Sequence, residues 1–220
     1  MKLLSLTKLN DLFAAIAAKQ ALYLPVDNNS GKADYQQWQE GTVMSAALNT
    51  TRSAKDFFFP QTENLMEFKM EGKKIDVIDT REECEDFVIF GVRACDAASF
   101  DILDRVYLSD PVDSYYKNRR EHGTVVTMAC GRPAETCFCQ TFGIDAANPA
   151  GDVTVWTLEN GYALRANTAK GEALLADVAS LLEDTDDSAV AAEQARVRAI
   201  MAKLPLAGLT TEGVGVGLTK

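Results

Sequence analysis

The chain has 220 residues, 47% of them hydrophobic and 25% charged, which is enough to bury a core as one large domain or two small ones. A formal net charge of -10 excludes a broad nucleic-acid or anionic-membrane surface, because phosphate binding draws on clustered Lys and Arg. Lys8 and Asp11 break the N-terminal apolar stretch before a signal-peptide core forms, and no apolar run approaches the ~20 residues of a membrane span. The expectation is a cytoplasmic protein with reduced thiols, whose five cysteines point to metal or catalysis more than to disulfides.

Near the N-terminus, Leu9, Leu12, Phe13 and Ile16 have the spacing of an amphipathic helix, with Thr7 as its cap. "ALYLPV" (21–26) reads as a strand, "DNNSGK" as turn chemistry and "YQQWQEGTVM" (35–44) as a continuing strand. In "RSAKDFFFPQTENLMEF" three phenylalanines end at Pro60, after which Thr62 or Glu63 opens a helix. Three successive aromatics cannot all face one core from a regular strand, so one of them covers a cofactor or partner surface or, the preferred reading, they pack between two layers.

Residues 86–92, "DFVIFGV", form a short apolar run suited to a strand buried on both faces. A helix follows, capped by Asp96, with Phe100, Leu103 and Val106 at helical spacing. "DPVDSYYKNRREHG" reads as a second, short helix between Pro111 and Gly123, and solvation is the default for Tyr115, Tyr116, Arg119 and Arg120 on it. "TVVTMAC" then repeats the design of a buried strand ending in a cysteine. Laid side by side in parallel, the two strands bring Cys95 and Cys130 to one rim of the sheet, where open α/β folds place their sites. "DVTVWTLENGYALRAN" alternates about Asn160-Gly161 as a hairpin, and two helices follow over 171–184 and 188–204. The expected class is α/β: a mixed sheet with a central parallel strand pair and flanking helices, plus a β-hairpin and C-terminal helices. Residues 1–205 read as a single α/β domain and 206–220 as a flexible Gly-rich tail.

"ACGRPAETCFC" (129–139) packs Cys130, Cys137 and Cys139 together, and "GVRACD" (91–96) adds Cys95. Cys137 and Cys139 project to the same side of an extended backbone, while Gly131 and Pro133 let the loop curl. Four such thiolates suit an iron-sulfur cluster or a structural zinc. The C-x2-C pairs of zinc sites and the ferredoxin run are both absent. Arg93 and Arg132, close to the ligands, offset the charge of a thiolate-bound cluster, and Cys95 precedes a helix whose dipole stabilises a thiolate. Each cysteine taken singly also reads as core filler, and Cys84 in "REECED" reads as core filler or an exposed thiol. Cysteine catalysis is the weaker rival, since His122 at a polar helix end is its only histidine partner.

"KDFFFPQTENLMEF", "VIFGVRACDAASFDILDRVYL", "DPVDSYYKNRRE" and "VVTMACGRPAETCFCQTFG" together resemble the N-terminal part of the family of the anaerobic sulfite reductase A subunit and the sulfhydrogenase beta subunit. The resemblance covers about residues 50 to 145. It implies that Cys95, Cys130, Cys137 and Cys139 are the family's cysteines, with Gly91, Arg93 and Asp96 around the first and Lys55 and Pro60 in "KDFFFP". It also implies a following ferredoxin-like module with two 4Fe-4S clusters. The chain ends in a Gly-rich tail with no such module, as a truncated piece or a stand-alone relative would.

Three readings follow. In the first, the chain is a non-catalytic electron-transfer component of a cytoplasmic anaerobic oxidoreductase complex, with one cluster, 4Fe-4S by preference, on the four cysteines. Phe138 or Phe142 shields that cluster, and the partners are a ferredoxin-like or flavin-bearing redox subunit and a catalytic reductase or hydrogenase subunit. In the second, the same thiolates hold zinc or nothing and the domain is a docking scaffold. The third, a flavin or nucleotide pocket at the sheet rim, ranks last, because no G-x-G-x-x-G follows a strand and no P-loop is present.

Overall fold

The computed structural model describes residues 1–213, so the end of the expected flexible tail, 214–220, lies outside the described residues. The chain opens with β1 (Lys2–Ser5), α1 (Leu9–Ala17), β2 (Ala21–Asp27) and β3 (Ala33–Gln37), followed by β4 (Glu67–Glu71) and β5 (Lys74–Ile78). Next come β6 (Phe87–Val92), α2 (Ala94–Tyr107), α3 (Ser114–His122) and β7 (Gly123–Met128). The last elements are β8 (Val153–Thr157), β9 (Gly161–Ala166), α4 (Ala169–Asp177), β10 (Glu183–Asp184) and α5 (Ser188–Met201). Residues 206–213 contain no helix or strand.

Eight strands form one sheet in the order β10-β1-β9-β8-β7-β6-β2-β3. Its centre is parallel, with β2 beside β6, β6 beside β7 and β7 beside β8, and both flanks are antiparallel. This is the α/β class the sequence implied. The expected parallel pair is β6 and β7, in register from Phe87 opposite Gly123. Every residue of β7 is buried, because both faces of the sheet are covered. Leu12, Phe13 and Ile16 of α1 and Leu174 of α4 pack on one face against Val88, Phe90 and Val126. Phe100 of α2, Tyr116 of α3 and Phe58 cover the other, against Ile89 and Val125. Each large apolar side chain buried this way contributes about 1.5–3 kcal/mol.

Phe57 and Phe58 of "KDFFFP" pack between layers, as expected, while Phe59 is exposed; the stretch is a 3-10 turn, Ala54–Phe57, and the residues that follow it, not a strand. Consecutive side chains there diverge: Phe57 stacks on Phe87, Phe58 is fully buried against Phe100, and Phe59 rests on Tyr107.

Several local expectations are corrected. Thr7 does not cap α1; a 3-10 turn, Leu6–Lys8, leads into it and no side chain caps it. The strand expected over 35–44 stops at Gln37 as β3. No helix opens at Thr62 or Glu63. The chain instead forms the β4–β5 hairpin, closed by a two-residue turn in which Gly72 takes φ +64. The expected β8–β9 hairpin forms, but its turn is Glu159-Asn160, closed by the Leu158 N–H donating to Gly161 O at 2.8 Å, and Gly161 is already in β9, opposite Ser5 of β1. Glycine is required there by close approach: a Cβ would lie 2.3 Å from the Leu4 carbonyl oxygen. The helix expected over 171–184 ends at Asp177, and its last residues form β10 against β1.

Helix α3 is not solvated at Tyr116 or Arg120. The Tyr116 hydroxyl donates to Asp104 at 2.6 Å, and Arg120 donates through Nε and Nη2 at 2.9 and 2.8 Å, its guanidinium lying over the Phe58 and Phe100 rings. Burial alone would raise the Asp104 carboxyl, yet the bonds from Arg120 and Tyr116 hold it below the usual range. Its contribution to stability is therefore complete above the ordinary carboxylate value of ~3.9 and is lost as pH falls through the lower folded value. Asp104→Ala is expected to cost about 2 kcal/mol in urea unfolding at pH 7, the low end for a broken pair because both partners keep some contact with water. The deficit should shrink as pH falls below the ordinary carboxylate range.

On the β4–β5 hairpin, Phe68 pairs with Val77 and Met70 with Ile75 on one face, and all four are more than half exposed. Phe68→Ser should therefore change stability by less than ~0.5 kcal/mol, as read by thermal unfolding.

Candidate functional site

The parallel strands β6 and β7 end side by side, and each is followed by one of the expected cysteines. Gly91 makes the exit from β6 possible: it sits at a register shift with φ +88, and a Cβ would approach the Pro25 ring to 3.1 Å. Arg93 then serves as the N-cap residue of α2 without a side-chain cap, so Asp96 is not the cap. Asp96 lies in the first turn, where the helix dipole favours a carboxylate. It accepts a 2.6 Å bond from the Ser53 hydroxyl and pairs with Lys55 at 3.5 Å, which ties the "KDFFFP" turn to the rim.

Cys95 is the second residue of α2 and is exposed. Cys130 is buried and begins the loop that carries Cys137 and Cys139, both half-buried. The Cys130 N–H donates to Ala146 O at 2.9 Å and the Trp156 indole donates to Ala147 O at 2.7 Å, so both ends of the loop are pinned to the sheet. Cys139 starts a 3-10 turn that ends at Gly143 in the left-handed region, φ +69. Val197 and Met201 of α5 cover Cys130, with Leu48, Leu204, Cys137 and Cys139 around them.

All four thiols are within electrostatic reach of one another. A hydrogen bond from the Cys139 thiol holds Cys95 down to about 6, helped by the backbone N–H groups of Cys95 and Asp96 and opposed by burial and the Asp96 carboxylate. The proton stays on Cys139, whose own titration is pushed up by that bond, by burial and by the other three sulfurs. Burial raises Cys130, and the Arg93 guanidinium offsets part of that rise.

The expected surroundings divide. Gly91, Arg93 and Asp96 stand at the rim as described, with Arg93 held by Leu48 O at 3.0 Å and Ala47 O at 3.2 Å. Arg132 is exposed in the cysteine loop, and Phe138 and Phe142 lie outward with ring centroids 5.9 Å apart. Cys84 is away from the rim, in a pocket with Arg119 and Tyr115. His122 precedes β7, pairs with Asp86, and stands at the opposite end of the strands from Cys130, roughly 20 Å of strand away. That separation keeps His122 away from the rim cysteines. Sequence reasoning missed Tyr35, whose hydroxyl burial and the Asp96 and Cys95 charges push up, and the cover supplied by α5. No local motif marks either one.

The donor chemistry suits a soft metal or an iron-sulfur cluster: four unbridged thiols, one of them favoured as thiolate at a helix N-terminus. The set is not closed around one point, since among the described residues no group of three or more His, Cys, Asp or Glu side chains is disposed to hold a metal ion.

Fold and rim together define an open α/β protein with a four-thiol site. A curated protein it resembles is Sulfhydrogenase 2 subunit beta of Pyrococcus furiosus, 31% identical over 169 residues, which are 76% of this chain and 48% of that protein. The chain thus spans about half the length of that relative, and its resemblance to the sulfhydrogenase beta and sulfite reductase family is supported along most of its own length. No family model matches the chain, and no solved structure matches it. Among the described residues no helix is long and apolar enough to cross a membrane.

Proposed function

We propose that the chain is an electron-transfer subunit or domain of a cytoplasmic oxidoreductase complex of the hydrogenase or sulfite reductase type, with an iron-sulfur cluster held by Cys95, Cys130, Cys137 and Cys139. The observation that carries this reading is the gathering of four cysteines, from two strand ends and one loop, at a single rim. The similarity to a sulfhydrogenase beta subunit supports the redox role and the presence of partner subunits. When bound, the cluster supplies one-electron transfer.

The chain's own residues set the conditions for it. Cys95 is favoured as thiolate, whereas Cys139 must release its proton on ligation, so loading should release protons. The Arg93 guanidinium, fixed by two carbonyls, adds positive charge beside Cys130. Phe138 and Phe142 screen the outer side, where a ferredoxin-like or flavin-bearing partner and a catalytic subunit would have access. Zinc on the same four thiols is the second reading, and it differs from the first in leaving the protein without a visible band. We take residues 1–205 as the α/β domain and the tail as a linker.

The test is anaerobic purification followed by an absorbance spectrum and iron, sulfide and zinc analysis of the same sample. A broad band near ~400 nm with iron and sulfide is expected. One zinc per chain, or no metal after attempted reconstitution, would replace the electron-transfer reading with a scaffold.

A further inference from the structure

The largest cavity described, about 1030 Å³, opens at the carboxyl ends of the parallel strands beside the cysteine rim. Its size is that of a small-molecule site, and its position is where open α/β sheets bind ligands. None of the four cysteines lines it. Its floor is made by the strand ends at Pro25, Gly91 and Met128, and its outer walls by the β8–β9 turn and by Ala189, Ala192 and Glu193 of α5.

The charge of this cavity runs against that of the molecule. In a chain with 32 acidic and 22 basic residues, three arginines, Arg93, Arg132 and Arg196, line one cavity together with two glutamates. Glu193 is taken up by a two-point pair with Arg196 at 2.7 Å. Arg93 spends Nε and Nη2 on backbone carbonyls and Arg196 spends Nη2 on Gly131 O at 2.8 Å, and Nη1 of both has no acceptor among the described residues. The Arg132 guanidinium and the backbone N–H groups of Gly131 and Arg132 donate to no acceptor among the described residues. The two anchored guanidinium groups of Arg93 and Arg196, with the unanchored Arg132 beside them, offer the forked donors that a phosphate accepts from. Pro25, Met44, Leu158 and Tyr162 supply an apolar wall with one aromatic ring, suited to a planar group.

We propose that this cavity binds an organic phosphate of nucleotide size, with its phosphate on Arg93, Arg132 and Arg196 and its planar group against Tyr162, Met44 and Leu158. The absence of a glycine-rich phosphate loop is consistent with this, because here side-chain guanidinium groups replace a helix N-terminus as the phosphate donors. The cavity shares Arg93 with the surroundings of Cys130 and takes Gly131 and Arg132 from the cysteine loop, so binding is measured with and without the cluster.

The experiment is calorimetric titration of the full chain, both metal-free and after iron-sulfur reconstitution, with FMN, ADP and inorganic phosphate in separate runs. At least one nucleotide should bind below ~100 μM and inorganic phosphate at least tenfold more weakly. FMN alone would mark a flavin site, ADP alone an adenine-nucleotide site, and either supports the assignment. Arg196→Gln should weaken binding about tenfold, and Ala192→Trp, which fills the cavity from an exposed position of α5, should abolish it with iron content unchanged. The proposal is overturned if neither nucleotide binds below ~1 mM, if inorganic phosphate binds as well as both, or if Ala192→Trp binds as the parent does.

Discussion

Gly171→Ala is expected to destabilise the fold by about 3 kcal/mol or more, measured as the shift in urea midpoint at constant slope. Gly171 is in the first turn of α4, and a Cβ there would lie 2.0 Å from the Asp152 carbonyl oxygen and 2.8 Å from its carbon. Backbone cannot move aside as a flexible side chain can, so α4 would have to lift from the start of β8. Asp152 is the junction that such a shift would break. Its carboxylate accepts from Val125 N at 2.8 Å and from the Thr168 hydroxyl at 2.6 Å, and its carbonyl accepts from Asn167 N at 2.8 Å. Leu174 and Val178, buried against the sheet, would lose packing at the same time. Gly208→Ala is the control, because its added methyl meets nothing within 4 Å, and it should leave the midpoint unchanged. If both variants unfold alike, the close approach of α4 to β8 is wrong.

The elements legible in the sequence are those whose burial leaves a one-dimensional trace. "DFVIFGV" and "TVVTMAC" are continuously apolar because the sheet is covered on both faces, and two such runs, each leading into a cysteine, are enough to place Cys95 and Cys130 at one rim. The β4–β5 hairpin carries an equally plain alternation, Phe68, Met70, Ile75 and Val77, but Pro60 and the acidic "TEN" that follows suggest a helix start. β1 and β10 are short strands whose partners lie far away in sequence, and such pairings leave no local period. Tyr116 and Arg120 read as surface because only tertiary packing supplies Asp104 and the Phe58 and Phe100 rings. The rim cavity is hidden for the same reason. Its arginines are separated by up to about a hundred residues, and the missing glycine motif counts against a site built from side chains.

Cys137→Ser is expected to reduce iron in anaerobically purified protein to less than about a tenth of the parent value and to remove the visible band, while Cys84→Ser retains both. The contrast is set by placement. Cys137 stands in the loop pinned at Ala146 and Ala147, within reach of Cys130 and Cys139, whereas Cys84 is raised by burial in a pocket away from the rim. The structural cost of the change should be small, since Cys137 is only half-buried and the loop's anchoring bonds come from Cys130 N and Trp156. Loss of iron with an unchanged unfolding midpoint in the metal-free protein would therefore report ligation and not misfolding. Cys95→Ser should show the same loss, because it removes the thiol that the helix N-terminus and the Cys139 bond favour as a thiolate. Full iron and sulfide in Cys137→Ser would remove Cys137 from the ligand set, and equal loss in Cys84→Ser would show that the iron depends on the protein's thiols in general and not on this rim.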